Sequence, residues 1–402
     1  MKAENNSQFR NLVDGWLSEL ITEVGANWSL LLHRLPGVYP TEVIAGIRRL
    51  KQKGVISTHE HSGIVADSRL DELELSRPSN ELPADYYAEH PLDFEWHFDC
   101  IGKQRMLDAA VGFAGIQQKI LCIGCPSVFY FAKGQGCPRN IVLWDKNSDN
   151  IAEEGSYKID LTCDALPNVC ADVVVIDPPW YNDYYALFLW AASNAVCLNG
   201  RVLVSFPQKG TRPTAGDDLH KVVLLAQQMG LQLQENRIAE LPYRAPFFEM
   251  NALRAADVTN VPIDWRKGNM LVFQKRNNSN NVRPHSGIFN SNWVERRVDN
   301  VRVKISTRIT LATNRPTIRP ASREAIIPSV STRFEGRQNA NVVTSGNRYF
   351  VTDSPELLIS LCENGPNGVQ NDGFAELRSQ WKRILSKEQR ELSAYFKKYN
   401  DQ

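Results

Sequence analysis

Between residues 102 and 275 short apolar runs alternate with segments of helical periodicity, and this alternation constrains the fold more than any other feature. Such an order is typical of a mostly parallel sheet with helices on both faces. The predicted strands are Lys119–Gly124, Ile141–Asp145, Tyr157–Asp160, Asp172–Asp177, Arg201–Phe206, Leu231–Ile238 and Asn269–Lys275. We therefore predict an α/β fold with a doubly wound, seven-stranded sheet.

The chain has 402 residues, too many for one compact core, so further domains are expected around the sheet. Residues 1–57 contain three predicted helices followed by a short strand-like run, Val55-Ile56-Ser57, which is typical of a winged helix-turn-helix. The third helix carries Arg48, Arg49, Lys51 and Lys53. These side chains can face DNA phosphates, or they can form an ordinary solvated surface.

The remaining boundaries follow from composition. Residues 58–93 are polar and acidic and are predicted to be a linker, residues 94–275 form the α/β domain, and the Asn- and Ser-rich residues 276–292 form a second linker. Residues 293–402 are predicted to be a basic β region followed by C-terminal helices, because Val294 to Arg337 holds ten basic and four acidic residues. This region favours either a nucleic-acid contact or a solvated β surface.

Composition also excludes several classes of protein. No apolar run reaches the roughly 20 residues that cross a bilayer, and the N-terminus has no signal-peptide core, so we expect a cytoplasmic protein without membrane contact. The eight cysteines show no disulfide framework and are expected to be reduced. Cys122 and Cys125 form a C-x-x-C without a second pair, so buried cysteines are favoured and no metal is expected.

The chemistry is predicted at the end of one apolar strand. Val173-Val174-Val175-Ile176 runs directly into Asp177-Pro178-Pro179-Trp180. In open α/β sheets ligands bind at the carboxyl ends of strands, although Asp-Pro also begins ordinary turns. We therefore treat Asp177, Pro178, Pro179 and Trp180 as the candidate catalytic residues.

These residue types suit a planar amine such as adenine N6, whose lone pair is withdrawn into the ring. Asp177 can accept one N–H hydrogen bond and a proline carbonyl can accept the other, which turns the lone pair toward an alkyl donor. Trp180 offers an aromatic face for a base removed from its stack, a contact that contributes roughly 1 to 3 kcal/mol.

A cofactor site is predicted upstream. The first strand ends at Gly124, and Cys125-Pro126-Ser127 follows, where backbone and hydroxyl groups can approach a ligand. The chain lacks G-x-G-x-x-G at this point, which argues against NAD or FAD. Asp145 ends the second strand, where an acid typically holds ribose hydroxyls, and Asp160 ends the third.

Three segments together resemble the N6-adenine methyltransferase-like family. They are Phe94-Glu95-Trp96-His97-Phe98-Asp99, Cys125-Pro126-Ser127-Val128 and Asp177-Pro178-Pro179-Trp180. The resemblance spans residues 94–206 and implies a Rossmann-like methyltransferase domain that uses S-adenosylmethionine. It implies that Trp96 and Phe98 wall the pocket, that Asp145 and Asp160 bind the cofactor, and that Asp177 to Trp180 bind the target amine.

The favoured hypothesis is N6-methylation of adenine in DNA or RNA, with nucleic acid as the partner. The family also contains a protein lysine methyltransferase, so a protein substrate is the alternative. A third hypothesis is a non-catalytic nucleic-acid-binding or assembly protein on the same scaffold. The sequence leaves the oligomeric state open.

Overall fold

The structure is a computed structural model, and its chain forms two compact units. The first unit contains residues 1–64, 97–244 and 264–289, and the second contains residues 65–96, 245–263 and 290–402. The described residues are 2–25, 27–56, 88–114, 119–137, 139–147, 154–278, 282–285, 293–307, 316–322, 325–331, 334, 337–365 and 374–400. No helix within these ranges is long and apolar enough to cross a membrane.

The first unit begins with helices α1 (Lys2–Val24), α2 (Trp28–Arg34) and α3 (Pro40–Gln52). The predicted wing is wrong at Val55 and Ile56, which form a bend, while Ser57 lies outside the described residues. Val55 is 55% exposed, so it lacks the burial that a strand of a packed wing requires.

Some of the basic side chains at the end of α3 contact an acidic side chain of the same unit. Arg49 donates two hydrogen bonds to Asp14 Oδ1, at 3.0 and 2.7 Å, and one to Oδ2 at 3.2 Å. The Lys53 ammonium lies 3.2 Å from the same carboxylate. Asp14 is buried, so its charge requires these partners. Two of the four basic side chains predicted to face DNA therefore hold α3 against α1.

Eight strands form the large sheet, in the order β1-β7-β8-β6-β5-β2-β3-β4. Their bounds are β1 His97–Phe98, β2 Lys119–Ile123, β3 Asn140–Asp145, β4 Ser156–Lys158, β5 Ala171–Ile176, β6 Val196–Pro207, β7 Leu231–Arg244 and β8 Arg266–Lys275. All seven predicted strands are present. The sheet has eight strands rather than the seven that were predicted, because His97–Phe98 pairs with the end of β7 as an additional edge strand.

Strands β4, β3, β2, β5 and β6 are parallel, while β8 runs antiparallel between β6 and β7. The intervening helices are α4 Cys100–Ala114, α5 Pro126–Gly134, α6 Asn182–Ala195 and α7 Ala215–Gln228. Right-handed crossovers leave β2 and β5 in opposite directions and so place α5 and α6 on opposite faces. Val173 to Ile176 of β5 are fully buried as a result, which explains their unbroken apolar run.

The second unit contains a five-stranded antiparallel sheet in the order β11-β13-β12-β10-β9. Its elements are α8 Phe247–Ala255, β9 Trp293–Val298, β10 Val301–Ser306, β11 Ile318–Pro320, β12 Val342–Thr344, β13 Tyr349–Thr352, α9 Pro355–Asn364 and α10 Ala375–Asn400. Its core joins Val301, Val303 and Ile305 to apolar side chains of α9 and α10. The apolar residues from Leu377 to Phe396, whose spacing predicted either a helical pair or one long helix, lie in the single helix α10.

Several basic side chains of the second unit form ion pairs with acidic side chains of the same unit. Arg302, whose side chain is 4% exposed, contacts Asp93, Glu95 and Glu295. Arg296 pairs with an acid of α9, Arg297 lies 3.8 Å from Glu295, and Lys304 pairs with Asp93 and Glu295. At least four of the ten basic residues in the predicted nucleic-acid region therefore have acidic partners inside the unit.

Candidate active site

The ends of three neighbouring strands lie at one level of the sheet. Ile123 of β2 pairs with Trp144 of β3 on one side and with Ile176 of β5 on the other. Each chain therefore leaves its strand at the same edge, and Gly124, Asp145 and Asp177 are the next residues. Adjacent strands are about 4.8 Å apart, so the two acids are separated by about 10 Å across the glycine. The strand order reverses between β2 and β5, which is where open α/β sheets bind ligands.

Asp177 is held at one carboxylate oxygen. Tyr243 Oη donates a hydrogen bond to Oδ1 at 2.7 Å, and Ser205 Oγ donates a second hydrogen bond to the same oxygen. Within the described part of the chain Oδ2 accepts none. Burial raises the pKa of Asp177 to about 6, although the two hydroxyl donors and the nearby His97 and Arg266 act in the opposite direction. The carboxylate is therefore largely ionised at neutral pH and has one oxygen for a further N–H donor.

The two prolines differ in what their carbonyls contact. Pro179 O accepts a hydrogen bond from the Tyr181 backbone N–H at 2.6 Å, which closes the turn into α6. Pro178 is buried next to Asp177 and has no backbone N–H that would compete for an acceptor. The Pro178 carbonyl is thus better placed than the Pro179 carbonyl to accept an amine N–H.

Trp180 is packed more tightly than a stacking platform requires. Its side chain is 9% exposed, the Arg266 guanidinium lies 4.3 Å from its ring centroid, and the Tyr243 ring packs edge-on at 5.5 Å. A Cβ at Gly268 would lie 3.3 Å from the indole. Arg266 therefore lies over one face of the indole, and Trp180 contributes to the packing around Asp177 through Tyr243.

The predicted cofactor loop leads into a helix. Gly124 has a φ of +61°, and a Cβ there would lie 2.7 Å from Phe188, so glycine is required for both conformation and space. Pro126 is the first residue of α5, which begins with its N–H groups toward the strand ends. Ser127 follows in the first turn, half-buried. A helix N-terminus at this edge favours an anionic group of a ligand.

The two predicted cofactor acids differ in their surroundings. Asp145 is 8% exposed, and its Oδ1 accepts the Asn147 backbone N–H at 2.7 Å. Asp160 lies two residues beyond β4 rather than at its last residue. Thr162 donates to its Oδ1 from both backbone and hydroxyl, and Lys146 lies 3.2 Å from Oδ2. Although burial acts in the opposite direction, these contacts lower the pKa of Asp160.

The predicted pocket-wall residues Trp96 and Phe98 belong to different units, because the boundary between the units lies between Trp96 and His97. Phe98 is buried with its ring centroid 4.5 Å from that of Tyr243, and is thereby linked to Asp177. Trp96 belongs to the second unit, where its ring packs edge-on against Phe248 at 6.4 Å. The contact with Tyr243 therefore ties Phe98 to the Asp177 cluster.

The cysteines correct one prediction. Cys170 and Cys197 form a disulfide, whereas all eight cysteines were expected to be reduced. The parallel pairing of β5 with β6 brings these residues together, with 5.1 Å between their Cα atoms. Cys122 and Cys125 are free and buried, and burial raises the pKa of the Cys122 thiol to about 12. Within the described ranges no group of three or more His, Cys, Asp or Glu side chains is arranged to hold a metal ion.

Sequence reasoning missed three residues around Asp177, namely Ser205, Tyr243 and Arg266, and it gave Cys125 of the predicted cofactor loop no role of its own. Cys125 is buried, and besides its burial the charges of Asp177 and Asp145 raise its pKa, which indicates that its thiol lies near both acids. It is the first residue of the predicted loop, so its position was a usable signal. Ser205 and Tyr243 lie within strands and give no local signal, because their roles depend on pairing between distant segments.

No protein-family model matches the chain, and no curated protein matches it. Among solved structures, the branched-chain polyamine synthase C9 mutein of Thermus thermophilus shows 13% identity over 70% of this chain and 98% of its own, with a TM-score of 0.47. A TehB-like S-adenosylmethionine-dependent methyltransferase from Corynebacterium glutamicum shows 19% identity over 44% of this chain and 89% of its own, with a TM-score of 0.30. With TM-scores below 0.5, these likenesses carry no argument about function.

Proposed function

We propose that this chain is an enzyme that transfers a methyl group from S-adenosylmethionine to an amine nitrogen bound at Asp177. One observation carries the proposal. Asp177 lies at the switch point of the sheet with Oδ1 fixed by two hydroxyl donors, while Gly124 and Asp145 lie level with it on the neighbouring strands. An amine acceptor and a cofactor edge are thus adjacent, as methyl transfer requires.

The groups at this edge fit S-adenosylmethionine. The cofactor carries a carboxylate, a ribose diol and an adenine, and when bound it supplies the electrophilic methyl group. The first turn of α5, with Gly124, Pro126 and Ser127, would receive the carboxylate end, and Asp145 would accept hydrogen bonds from the diol. Asp160 would bind the adenine edge, although its carboxylate already contacts Lys146 and Thr162.

Asp177 and Pro178 would orient the amine. An N–H of the substrate would donate to Asp177 Oδ2 and a second N–H would donate to the Pro178 carbonyl, which directs the nitrogen lone pair toward the methyl group. Such alignment acts in the transition state more than in the ground state and therefore raises kcat.

The first candidate substrate is adenine N6 in DNA or RNA. The acceptor pair formed by a carboxylate and a proline carbonyl supports it, because both N–H groups of a planar amine can be satisfied at once. In this case the exposed Arg48 and the remaining basic side chains would contact phosphates.

The second candidate is the primary amine of a protein lysine side chain. The surroundings of Trp180 favour it, because Arg266 lies over one face of the indole and so reduces the aromatic surface left for a flat base. The internal pairing of Arg49, Lys53, Arg302 and Lys304 also leaves fewer cations for a polyanion. A narrow alkyl amine needs neither feature.

Transfer of labelled methyl from S-adenosylmethionine to separate DNA, RNA and protein pools tests the proposal and separates the candidates. We expect label in one pool, and nucleic-acid substrates should show transfer that falls steeply with added salt. Label in protein alone would select the lysine candidate. Cofactor-dependent label in none of the pools, with intact folding by circular dichroism, would favour the non-catalytic scaffold instead.

Asp145→Ala tests the cofactor edge. Loss of hydrogen bonds from the ribose diol to a charged acceptor should weaken S-adenosylmethionine binding by roughly 1.5 to 3 kcal/mol, measured by calorimetry. Asp172→Ala is the control, because Asp172 lies at the opposite end of β5, where it accepts the Lys119 backbone N–H. Equal affinity in the Asp145→Ala variant and the parent would remove Asp145 from the site.

A further inference from the structure

The two hydroxyls that contact Asp177 lie on β6 and β7, 28 and 66 residues further along the chain. Ile176 of β5 pairs with Val204 of β6, so Ser205 lies level with Asp177 on the next strand. Tyr243 lies near the end of β7, where it pairs with Arg266 of β8 and with Phe98 of β1. The Asp177 side chain is therefore held by the sheet itself rather than by its own loop.

Neither donor is free to turn away. Ser205 is 0% exposed, and its backbone carbonyl accepts a hydrogen bond from Tyr185 Oη at 2.9 Å. Tyr243 is 1% exposed and packs between the rings of Phe98 and Trp180. Gly268 makes room for this ring, because a Cβ there would lie 3.2 Å from Tyr243 Cε2. A buried hydroxyl without an acceptor is costly, and both hydroxyls donate to Oδ1 in the structure. Ser205 also lies within hydrogen-bonding reach of Tyr243, so the two hydroxyls and Oδ1 form one cluster.

We infer that Ser205 and Tyr243 are positioning residues, which by occupying Oδ1 direct Oδ2 of Asp177 toward the substrate amine and keep it an acceptor. The inference deepens the proposed function and rests on it. Two O–H donors leave Oδ1 as an acceptor only, so a proton that binds Asp177 binds Oδ2. Protonated Oδ2 is a donor and opposes the N–H of the amine. Amine binding therefore requires the ionised carboxylate.

The electrostatic surroundings give the direction of the pH dependence. Burial raises the pKa of Asp177 to about 6, and both hydroxyl donors lower it from what burial alone would produce. Removing either donor should raise the pKa further, since hydrogen bonds to the charged form favour that form. The acid limb of methyl transfer should then move to higher pH. The other titratable groups that act on Asp177 are His97, Arg266, Tyr185 and Cys125.

The test compares the full-length parent with Tyr243→Phe and Ser205→Ala. The Asp177 carboxyl is titrated by NMR with ¹³C-labelled aspartate, and kcat and KM for methyl transfer to the pool that the parent methylates are followed against pH. We expect the carboxyl titration and the acid limb to rise together by about half to one pH unit in each variant. We also expect kcat to fall about tenfold, while the Kd for S-adenosylmethionine stays unchanged.

Tyr395→Phe is the matched control, because Tyr395 is a buried tyrosine that donates to the Ala245 carbonyl at 2.7 Å in the second unit. It should change neither the titration nor the acid limb. Folded Tyr243→Phe and Ser205→Ala variants with the parent's carboxyl titration would overturn the inference, and if one variant does not fold, the other decides. If the parent transfers no methyl to any pool, the proposed function fails, whereas the NMR titration still tests the two donors.

Discussion

Asp177→Ala is expected to lower kcat by about 10²- to 10³-fold while the affinity for S-adenosylmethionine stays close to that of the parent. The variant loses the oxygen that would accept the amine N–H, so the lone pair is no longer aligned with the methyl group. That interaction is made fully only in the transition state, whereas the cofactor groups bind at Gly124 and Asp145. Single-turnover methyl transfer beside a calorimetric titration of the cofactor measures both quantities.

Two further variants separate chemistry from packing. Asp177→Asn retains an acceptor oxygen for Ser205 and Tyr243 but replaces Oδ2 with an N–H donor, so it should be as inactive as the alanine variant. Trp180→Ala should release the Arg266 guanidinium from its aromatic contact and loosen the packing around Asp177, so it should lower the rate of methyl transfer. A loss of substrate affinity as well would identify the indole as a stacking surface for the substrate. Substantial methyl transfer by Asp177→Ala would mean that Asp177-Pro178-Pro179-Trp180 is a structural turn.

Arg348→Met is expected to lower the free energy of unfolding by about 3 to 5 kcal/mol. Arg348 is 3% exposed and pairs with Glu388, which is 0% exposed, while its second nitrogen lies 2.6 Å from Glu391. Glu388 also accepts the backbone N–H of Gly346. Without the guanidinium the Glu388 carboxylate is an unpaired buried charge, which costs far more than the lost attraction alone. Urea denaturation monitored by circular dichroism measures the change.

The exposed pair between Arg296 and Glu363 provides the control, because their side chains are 32% and 46% exposed. Arg296→Met should therefore lower the free energy of unfolding by no more than about 1 kcal/mol. Adding Glu388→Gln to Arg348→Met should recover part of the loss, since it removes the stranded charge. Equal effects of Arg348→Met and Arg296→Met would contradict the buried-charge argument.

The strands of the large sheet could be predicted from sequence because their signal is local. A buried parallel strand must be apolar on both faces, so an unbroken apolar run such as Val173 to Ile176 predicts a strand. The polar residue that follows the run predicts where the strand ends. The edge strand His97–Phe98 escaped prediction because a two-residue strand has no period of its own. The wing predicted at Val55 and Ile56 was wrong because β-branched residues form a strand only where another strand pairs with them, and these two form a bend although Ile56 is buried.

The partners of the charged side chains and of the cysteines could not be predicted in the same way. Arg49 and Arg302 read as basic surface in the sequence, yet Asp14, Asp93 and Glu95 lie against them in space. Cys170 and Cys197 meet only because β5 and β6 are neighbours. In each case the partner is distant along the chain, and composition cannot show which of many acids or thiols it is.

The sequence by itself determined the sheet and placed Asp177 and Asp145 at strand ends, because both follow from short-range apolar patterning. Only the tertiary structure decided which oxygen of Asp177 is occupied, since Ser205 and Tyr243 lie 28 and 66 residues away along the chain. It also decided that Arg266 lies over one face of Trp180, which a local motif cannot reveal. The physical reason is that strand pairing sets the register between segments remote in sequence, and that register determines which donors reach the half-buried carboxylate of Asp177.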